Sequence, residues 1–484
     1  MRHLIGGFLF CILAVKTFAN APTIHLPIYR RGGRFARHEL ANITALTRTI
    51  SQVEERYSRT YTDVDRNRIV RRWHDGLIYR DRHMLDEAGL QGLWYTKLQV
   101  GEPRQTLEID LDMLSPDFYT IMTTSGQGLK YDTFSSNTHE DFNDFPHAIC
   151  RSSSDLFYFS DLISDMNSVR LAFPICQAPK CSRHTLAASG SILGLSPLGL
   201  GSLSRLESSS FIQQLLNQQK IQYNLFSLTI LDSASGVLSF GGTIAAEVEE
   251  TKIRQEIGLK YIDQPDSQAK EEEVNGALRF AIPPSSTHER HFKWTDVSNG
   301  AAAGWHMTLV TGVRVAGVKI LKNQPVLLDI NCPFILAPPV AAARLYESIS
   351  GARRLVTLLD QPHEAWYEAT RFWSFPCLSA IDISFEIAGW QYPVVSGERL
   401  REDDIHGPAG GRFSLGKVDV GTNSGTGYCV GLIVETAMGL RKEWQGSDMR
   451  DIWVLGEPFF RGLGIAFDLG DEKGKGSRIG LRTY

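Results

Sequence analysis

The stretch Trp94–Thr120, WYTKLQVGEPRQTLEIDLDMLSPDFYT, decides how the rest of the chain is read. Leu98 and Val100, then Leu107, Ile109 and Leu111, alternate with polar residues at a period of two, and Gly101-Glu-Pro-Arg-Gln105 supplies a turn between the two runs. The pattern predicts a β-hairpin whose second strand ends at an acid, Asp112. An outline of the same kind recurs more than 200 residues on: Trp305-His-Met-Thr-Leu-Val310, a turn at Ala316-Gly317, the apolar run Pro325-Val-Leu-Leu328, and then Asp329. Two long repeats, not many short ones, predict a duplicated protein of two β lobes that could bring two carboxylates together.

Outward from the hairpin, short alternating runs separated by Gly, Asn, Asp and Ser continue to the end of the chain, as an all-β protein requires. Strands are expected at 157–163, 169–173, 225–230, 237–240, 309–315, 326–329, 383–387 and 452–455, and short helices at 211–217 and 339–349. Residues 91–245 are read as an N-terminal β lobe and 301–484 as a C-terminal one. Residues 246–300, polar and acidic with Lys270-Glu-Glu-Glu273, are read as a loop insertion between them.

Ahead of the hairpin, Met1-Arg-His precedes the apolar run Leu4–Val15, and small residues at Thr17 and Ala19 follow, which is the layout of a secretory leader over 1–19. The run is too short to span a bilayer, and no later segment is long enough to do so. A secreted or secretory-lumen protein without a membrane span is expected. Residues 20–90 are rich in arginine, with helix-compatible spacing from Arg48 to Tyr61 and dibasic pairs at Arg30-Arg31 and Arg71-Arg72. They read as a pro-segment cut after Arg72, or as an N-terminal extension that is never removed. The sequon Asn42-Ile-Thr44 fits the secretory route.

Length and a 43% apolar content give enough material for two cores, and a net charge of −4 offers no basic stripe for nucleic acid. Outside the leader stand six cysteines, Cys150, Cys176, Cys181, Cys332, Cys377 and Cys429, an even number that allows up to three disulfides in an oxidising compartment. No CxxC pair suggests zinc. His288-Glu-Arg-His291 lacks the spacing of a zinc protease, Gly194-Leu-Ser-Pro-Leu198 lacks the second glycine of a nucleophile elbow, and Gly407, Gly410 and Gly411 lack a phosphate-loop lysine. No metal or other cofactor is expected.

Taken with their order, these segments resemble the pepsin-like aspartic protease family from about Trp94 to Tyr484. Gly101-Glu-Pro-Arg-Gln105 is similar to that family's turn, with Gly101 eleven residues before the first acid. Ser189-Gly-Ser-Ile-Leu-Gly-Leu195, Phe226-Ser-Leu-Thr-Ile with Gly236-Val-Leu-Ser-Phe-Gly-Gly242, and Trp453-Val-Leu-Gly-Glu-Pro-Phe-Phe-Arg461 with Ile465-Ala-Phe-Asp468 resemble further family segments. The resemblance implies an all-β, bilobal pepsin-like fold with a cleft for extended polypeptide, expected as a monomer. It implies Asp112 and Asp329 as a catalytic pair and a second-lobe disulfide between Cys377 and Cys429. The pairing of Cys150, Cys176, Cys181 and Cys332 stays open, with Cys176–Cys181 the nearest in sequence.

The family surrounds each acid with Asp-Thr/Ser-Gly, whereas this chain has Asp112-Met-Leu-Ser115 and Asp329-Ile-Asn-Cys332. Met113 and Ile330 replace hydroxyls that would join the lobes, so their backbone partners are expected to go unpaired. Leu114 and Asn331 replace glycines, so a Cβ is expected to crowd or bend each loop. Ser115 is the remaining hydroxyl partner for Asp112. Tyr158 is the candidate for the cleft-closing tyrosine, with a place in an aromatic strand cluster as the other reading, and Tyr119 is read as core. The function implied is hydrolysis of peptide bonds by a carboxylate pair sharing one proton, and the rival is an inactive homologue that binds peptide or protein.

Overall fold

In the computed structural model of the chain the described residues are 23–30, 36–37, 40–62, 94–114, 118–122, 131–142, 150–159, 167–177, 191–195, 210–230, 235–243, 292–297, 305–359, 369–379, 381–394, 413–418, 427–436, 438, 451–470 and 476–483. The leader, Arg71-Arg72, Ser115, Cys181, His288, His291 and the 407–411 glycines lie outside them.

The alternating run around Gly101 forms the hairpin it predicts. Trp94–Val100 pairs antiparallel with Gln105–Asp112, from Val100 opposite Gln105 to Tyr95 opposite Asp110. Leu107, Ile109 and Leu111 point into the core. Gly101 turns the chain at a φ of +78°, which a side chain would resist. Ser191–Gly194 then lies parallel to the acid-bearing strand with Gly194 opposite Asp112, and Phe118–Met122 runs back against it.

The second half repeats the arrangement. Gln324–Leu328 pairs antiparallel with Met307–Val310 and parallel with Trp453–Leu455, and Ile335–Ala337 runs back against the latter. The backbone of each acid is tied to its parallel neighbour, in opposite senses: Leu195 N donates to Asp112 O at 2.8 Å, whereas Asp329 N donates to Leu455 O at 3.2 Å. Each acid therefore closes a strand clamped on one side by an antiparallel partner and on the other by a parallel strand.

The lobes share a sheet of 13 strands among the described residues. Leu225–Ile230 of the first half pairs with Leu463–Asp468 of the second, and Phe226 stacks on Phe467 with ring centroids 4.7 Å apart. The strand Ile24–Arg30, which the sequence pattern does not single out, lies inside this sheet between Ser235–Phe240 and Trp94–Val100, antiparallel to both. The expected all-β, bilobal architecture is present, with few helices.

Several boundaries differ from the sequence reading. The run 309–315 is two strands, Met307–Val310 and Gly312–Val315, that belong to different sheets. The turn at Ala316-Gly317 joins Gly312–Val315 to Val318–Leu321, with both turn residues at positive φ. The expected loop insertion at 246–300 ends as structure: Lys293–Asp296 is an edge strand on Arg478–Thr483, where Trp294 packs under the Arg478 guanidinium at 4.8 Å. The short helices fall at Phe211–Asn217 and Pro339–Glu347. A disulfide joins Cys377 to Cys429, Cys332 is buried as a free thiol, and in backbone register Cys150 stands opposite Cys176.

Candidate active site

The N-terminal helix, Ile43–Thr62, builds the site as much as the two lobes do. It starts at Asn42, whose side chain accepts from Ala45 N at 3.0 Å, the role for which asparagine is favoured at a helix start. Its apolar residues Leu46, Ile50, Val53 and Tyr57 recur at helical spacing, and each is at most 2% exposed. They sit in one cluster with Trp305, Met307, Leu327, Phe334 and Leu336 of the second half and Leu114 of the first. Burial of this kind stabilises the docked helix by about 2 kcal/mol for each large side chain.

Between these apolar residues the helix presents Arg56. Its Nη2 donates to Asp112 Oδ1 at 2.8 Å and its Nη1 to Asp329 Oδ2 at 2.9 Å. One planar guanidinium thus spans both acids, which a lysine ammonium could not do with the same geometry. The next residue adds a third contact, Tyr57 Oη donating to Asp329 Oδ2 at 2.7 Å. All four side chains are buried. Burial works against the Arg56 charge, but the Asp329 and Asp112 carboxylates more than offset it and lift its pKa above that of a free guanidinium. Burial first, then the Asp329 charge, likewise raises the Tyr57 phenol, so it stays a neutral donor.

The loops after the acids keep their hold on the carboxylates in spite of the missing glycines. Leu114 N donates to Asp112 Oδ1 at 3.0 Å and Asn331 N to Asp329 Oδ1 at 3.1 Å, the same contact at the same spacing in each lobe. Crowding by a Cβ, expected from the sequence, does not displace either loop, because Leu114 finds room in the cluster under the helix.

The expectation that lost hydroxyls leave backbone groups unpaired is also corrected. Met113 and Ile330 are fully buried in the main core, and the polar link between lobes moves one residue along, to Asn331. Its Oδ1 accepts from Trp94 N at 2.8 Å, and its Nδ2 donates to Leu111 O. An amide, with donor and acceptor on one rigid plane, can serve both partners at once.

Two further residues lie near the acids: Cys332, which the sequence places in the second acid's motif, and His306, which sequence reasoning passed over. Cys332 is fully buried beside Asp329, and burial first and that charge second push its thiol pKa up, so it is an un-ionised neighbour. His306 lies 2.9 Å from Leu195 O across the lobe boundary, and burial pushes its pKa down to about 4. Their signal in the sequence was position alone: Cys332 three residues after Asp329, and His306 beside Trp305 at the start of the second repeat.

Tyr158 stands opposite Gln99 on the strand Cys150–Phe159. Its hydroxyl donates to the Glu102 carboxylate, and the Arg104 guanidinium covers its ring at 4.1 Å. It is thus held by the 101–105 turn and not by either acid. Tyr119 is buried, opposite Ile192. Among the described residues, no group of His, Cys, Asp and Glu has the makings of a metal site, and no helix is long and apolar enough to cross a membrane.

Arg56, Asp112 and Asp329 form a desolvated ion triad, with the helix lying over both carboxylates. The family model described as eukaryotic aspartyl protease matches residues 93–257, which include the hairpin and Asp112. No curated protein matches the chain significantly. That family supports protease-like chemistry on polypeptides. The matched lobe, its structural repeat in the second half and the two acids meeting on one side chain together support the pepsin-like aspartyl protease family for this chain.

Proposed function

We propose that this chain is a secreted aspartic endopeptidase made in a self-blocked form, with Asp112 and Asp329 as its catalytic pair and residues 20–90 as its pro-segment. The observation that carries the reading is the Arg56 guanidinium on both carboxylates. When the helix withdraws, two acids in one desolvated groove are left to share a proton. The ionised member then acts as general base on a water while the protonated one polarises the peptide carbonyl. The dibasic pair Arg71-Arg72 falls in sequence between the end of the helix at Thr62 and the hairpin at Trp94, a point where a cut would leave the helix held by its contacts and the strand before it.

A second reading, a non-catalytic homologue that binds peptide or protein, has an observation of its own. The strand Ile24–Arg30 is paired on both sides within the large sheet, so shedding it removes an interior strand. A permanent extension would make Arg56 a structural counter-ion.

The two readings separate in a peptide-library digest by the full chain after incubation at pH values from neutral to acidic, with Asp329→Asn alongside. Cleavage that appears on acidification and is lost in the variant supports the endopeptidase. Retention of extended peptides without cleavage supports the binding protein.

A further inference from the structure

Two residues before Arg56, the same helix places a second charged group against the second lobe. Glu54 is 2% exposed, and its Oε1 accepts from Arg371 Nη2 and, at 2.9 Å, from Thr436 Oγ1. On a helix rising about 1.5 Å per residue, Glu54 and Arg56 lie about 3 Å apart along the axis. At about 3.6 residues per turn the two side chains leave the helix on different sides, Arg56 to the two acids and Glu54 to Arg371 and Thr436, and both are covered while the helix is docked.

That receptor is built into the lobe. Arg371 Nε donates to Glu435 O at 2.9 Å, and Glu435 N returns a bond to Arg371 O at 3.0 Å, which fix the guanidinium and its backbone from behind. The Glu435 carboxylate is engaged elsewhere, accepting from Trp373 Nε1 at 2.9 Å and pairing with Arg354 Nη1 at 2.7 Å. Thr436 N is tied to Ala337 O at 2.8 Å, on the strand that follows the second acid. These contacts belong to the lobe and need no helix. With the helix docked, Arg371 is 7% exposed, and its bond to the Glu54 carboxylate is charge-assisted.

We propose that Arg371 and Thr436 form a subsite for an acidic side chain of a bound polypeptide, glutamate in preference to aspartate, which Glu54 occupies while the helix is docked. The proposal rests on the reading that the helix gives way to polypeptide in the groove. Departure of the helix takes away the Glu54 carboxylate and leaves a fixed guanidinium and hydroxyl facing the incoming chain. A glutamate carboxylate reproduces both contacts, a glutamine loses the charge, and a lysine meets repulsion. The subsite thereby selects substrates that are acidic at one position near the bond presented to Asp112 and Asp329.

The test is a library of extended peptides offered to the full chain and to Arg371→Glu and Arg371→Gln variants. It is run near pH 5.5, where a peptide glutamate with a pKa of about 4.3 is ionised. Cleaved peptides, or retained peptides if none is cleaved, are sequenced. For the unaltered chain the expected result is enrichment of glutamate over glutamine at a single position by about tenfold or more, the scale of a charge-assisted hydrogen bond. Arg371→Gln is expected to abolish that enrichment, and Arg371→Glu to replace it with lysine at the same position, a reversal that looser helix docking alone would not produce. Cleavage or retention with no acidic preference overturns the subsite and leaves the groove reading intact, as does a preference unchanged in Arg371→Glu. Neither cleavage nor retention at any pH overturns both.

Discussion

Trp94 N donates to Asn331 Oδ1 at 2.8 Å, a hydrogen bond between residues 237 apart in sequence that fastens the start of the first lobe's hairpin to the loop after the second acid. Through the same side chain the loop also reaches Leu111 O, next to Asp112. Replacing Asn331 with alanine leaves two buried backbone groups without this partner, at about 1–3 kcal/mol each. Urea unfolding at neutral pH is expected to show a loss of that order. Asn331→Gly, which restores the family's residue type at this position, is expected to cost at least as much, because the link here is the amide and not the space a glycine would leave. Unchanged unfolding midpoints would remove Asn331 from its role between the lobes.

Arg56 is the single cation on two buried carboxylates among the contacts described around them, so its loss leaves like charges facing each other. Breaking a buried pair by deleting one partner costs about 3–5 kcal/mol. Arg56→Ala is therefore expected to undock the helix without unfolding the lobes. Hydrogen exchange of amides 43–57 should accelerate by more than a hundredfold, while amides of Leu225–Ile230 and Leu463–Asp468 stay protected. Arg56→Lys should fall between the two, since one ammonium satisfies one carboxylate at a time. Equal protection of the helix in all three proteins would mean that its apolar stripe alone holds it.

The parts of this molecule that were legible in the sequence are those where a local pattern has one physical meaning. Alternation around Gly101 gave the hairpin, and the recurrence of an acid after an apolar run gave the second lobe. What could not be read is what depends on distant partners. Arg56 is one arginine of many in an arginine-rich segment, and nothing in its neighbourhood marks it as the one that meets Asp112 and Asp329. Asn331 looked like a lost glycine because its two partners, Trp94 N and Leu111 O, are more than 200 residues away. Ile24–Arg30 is short and ends in an arginine, and only its pairing on both sides makes it an interior strand.

Gly456 shows how tightly the second acid's loop is boxed in. A Cβ built on it would run into the carbonyl oxygens of Phe334 and Cys332, and the Cys332 carbonyl is already bonded to Glu457 N at 2.7 Å. Backbone cannot retreat as a flexible side chain can, so Gly456→Ala is expected to destabilise the fold by about 3 kcal/mol or more, in the upper part of the range for point changes. The disturbance should reach the acid, because Leu455 O receives Asp329 N one residue away. A thermal melt within a degree or two of the unaltered protein would contradict the packing described here.

Acid acts on this fold through two buried histidines. His306, against Leu195 O, and His25, 2.7 Å from Ser239 Oγ on the interior strand Ile24–Arg30, are each pushed down to about 4 by burial. A histidine in the unfolded chain titrates near 6.5, so between pH 6.5 and 4 the unfolded state binds more protons and stability rises with pH. The full stability is present above about pH 6.5 and is lost as pH falls towards 4, by about 3 kcal/mol for each histidine, with no further loss from these groups below that. His25 ties this loss to the strand that precedes the helix, so acid loosens the N-terminal segment from within the sheet. Urea midpoints measured at pH 7.5, 5.5 and 4.0 are expected to fall less steeply in His25→Gln and in His306→Gln than in the unaltered chain, each variant keeping about 3 kcal/mol more of its neutral-pH stability at the acid end. Parallel acid profiles in all three proteins would show that neither ring is held neutral by the fold.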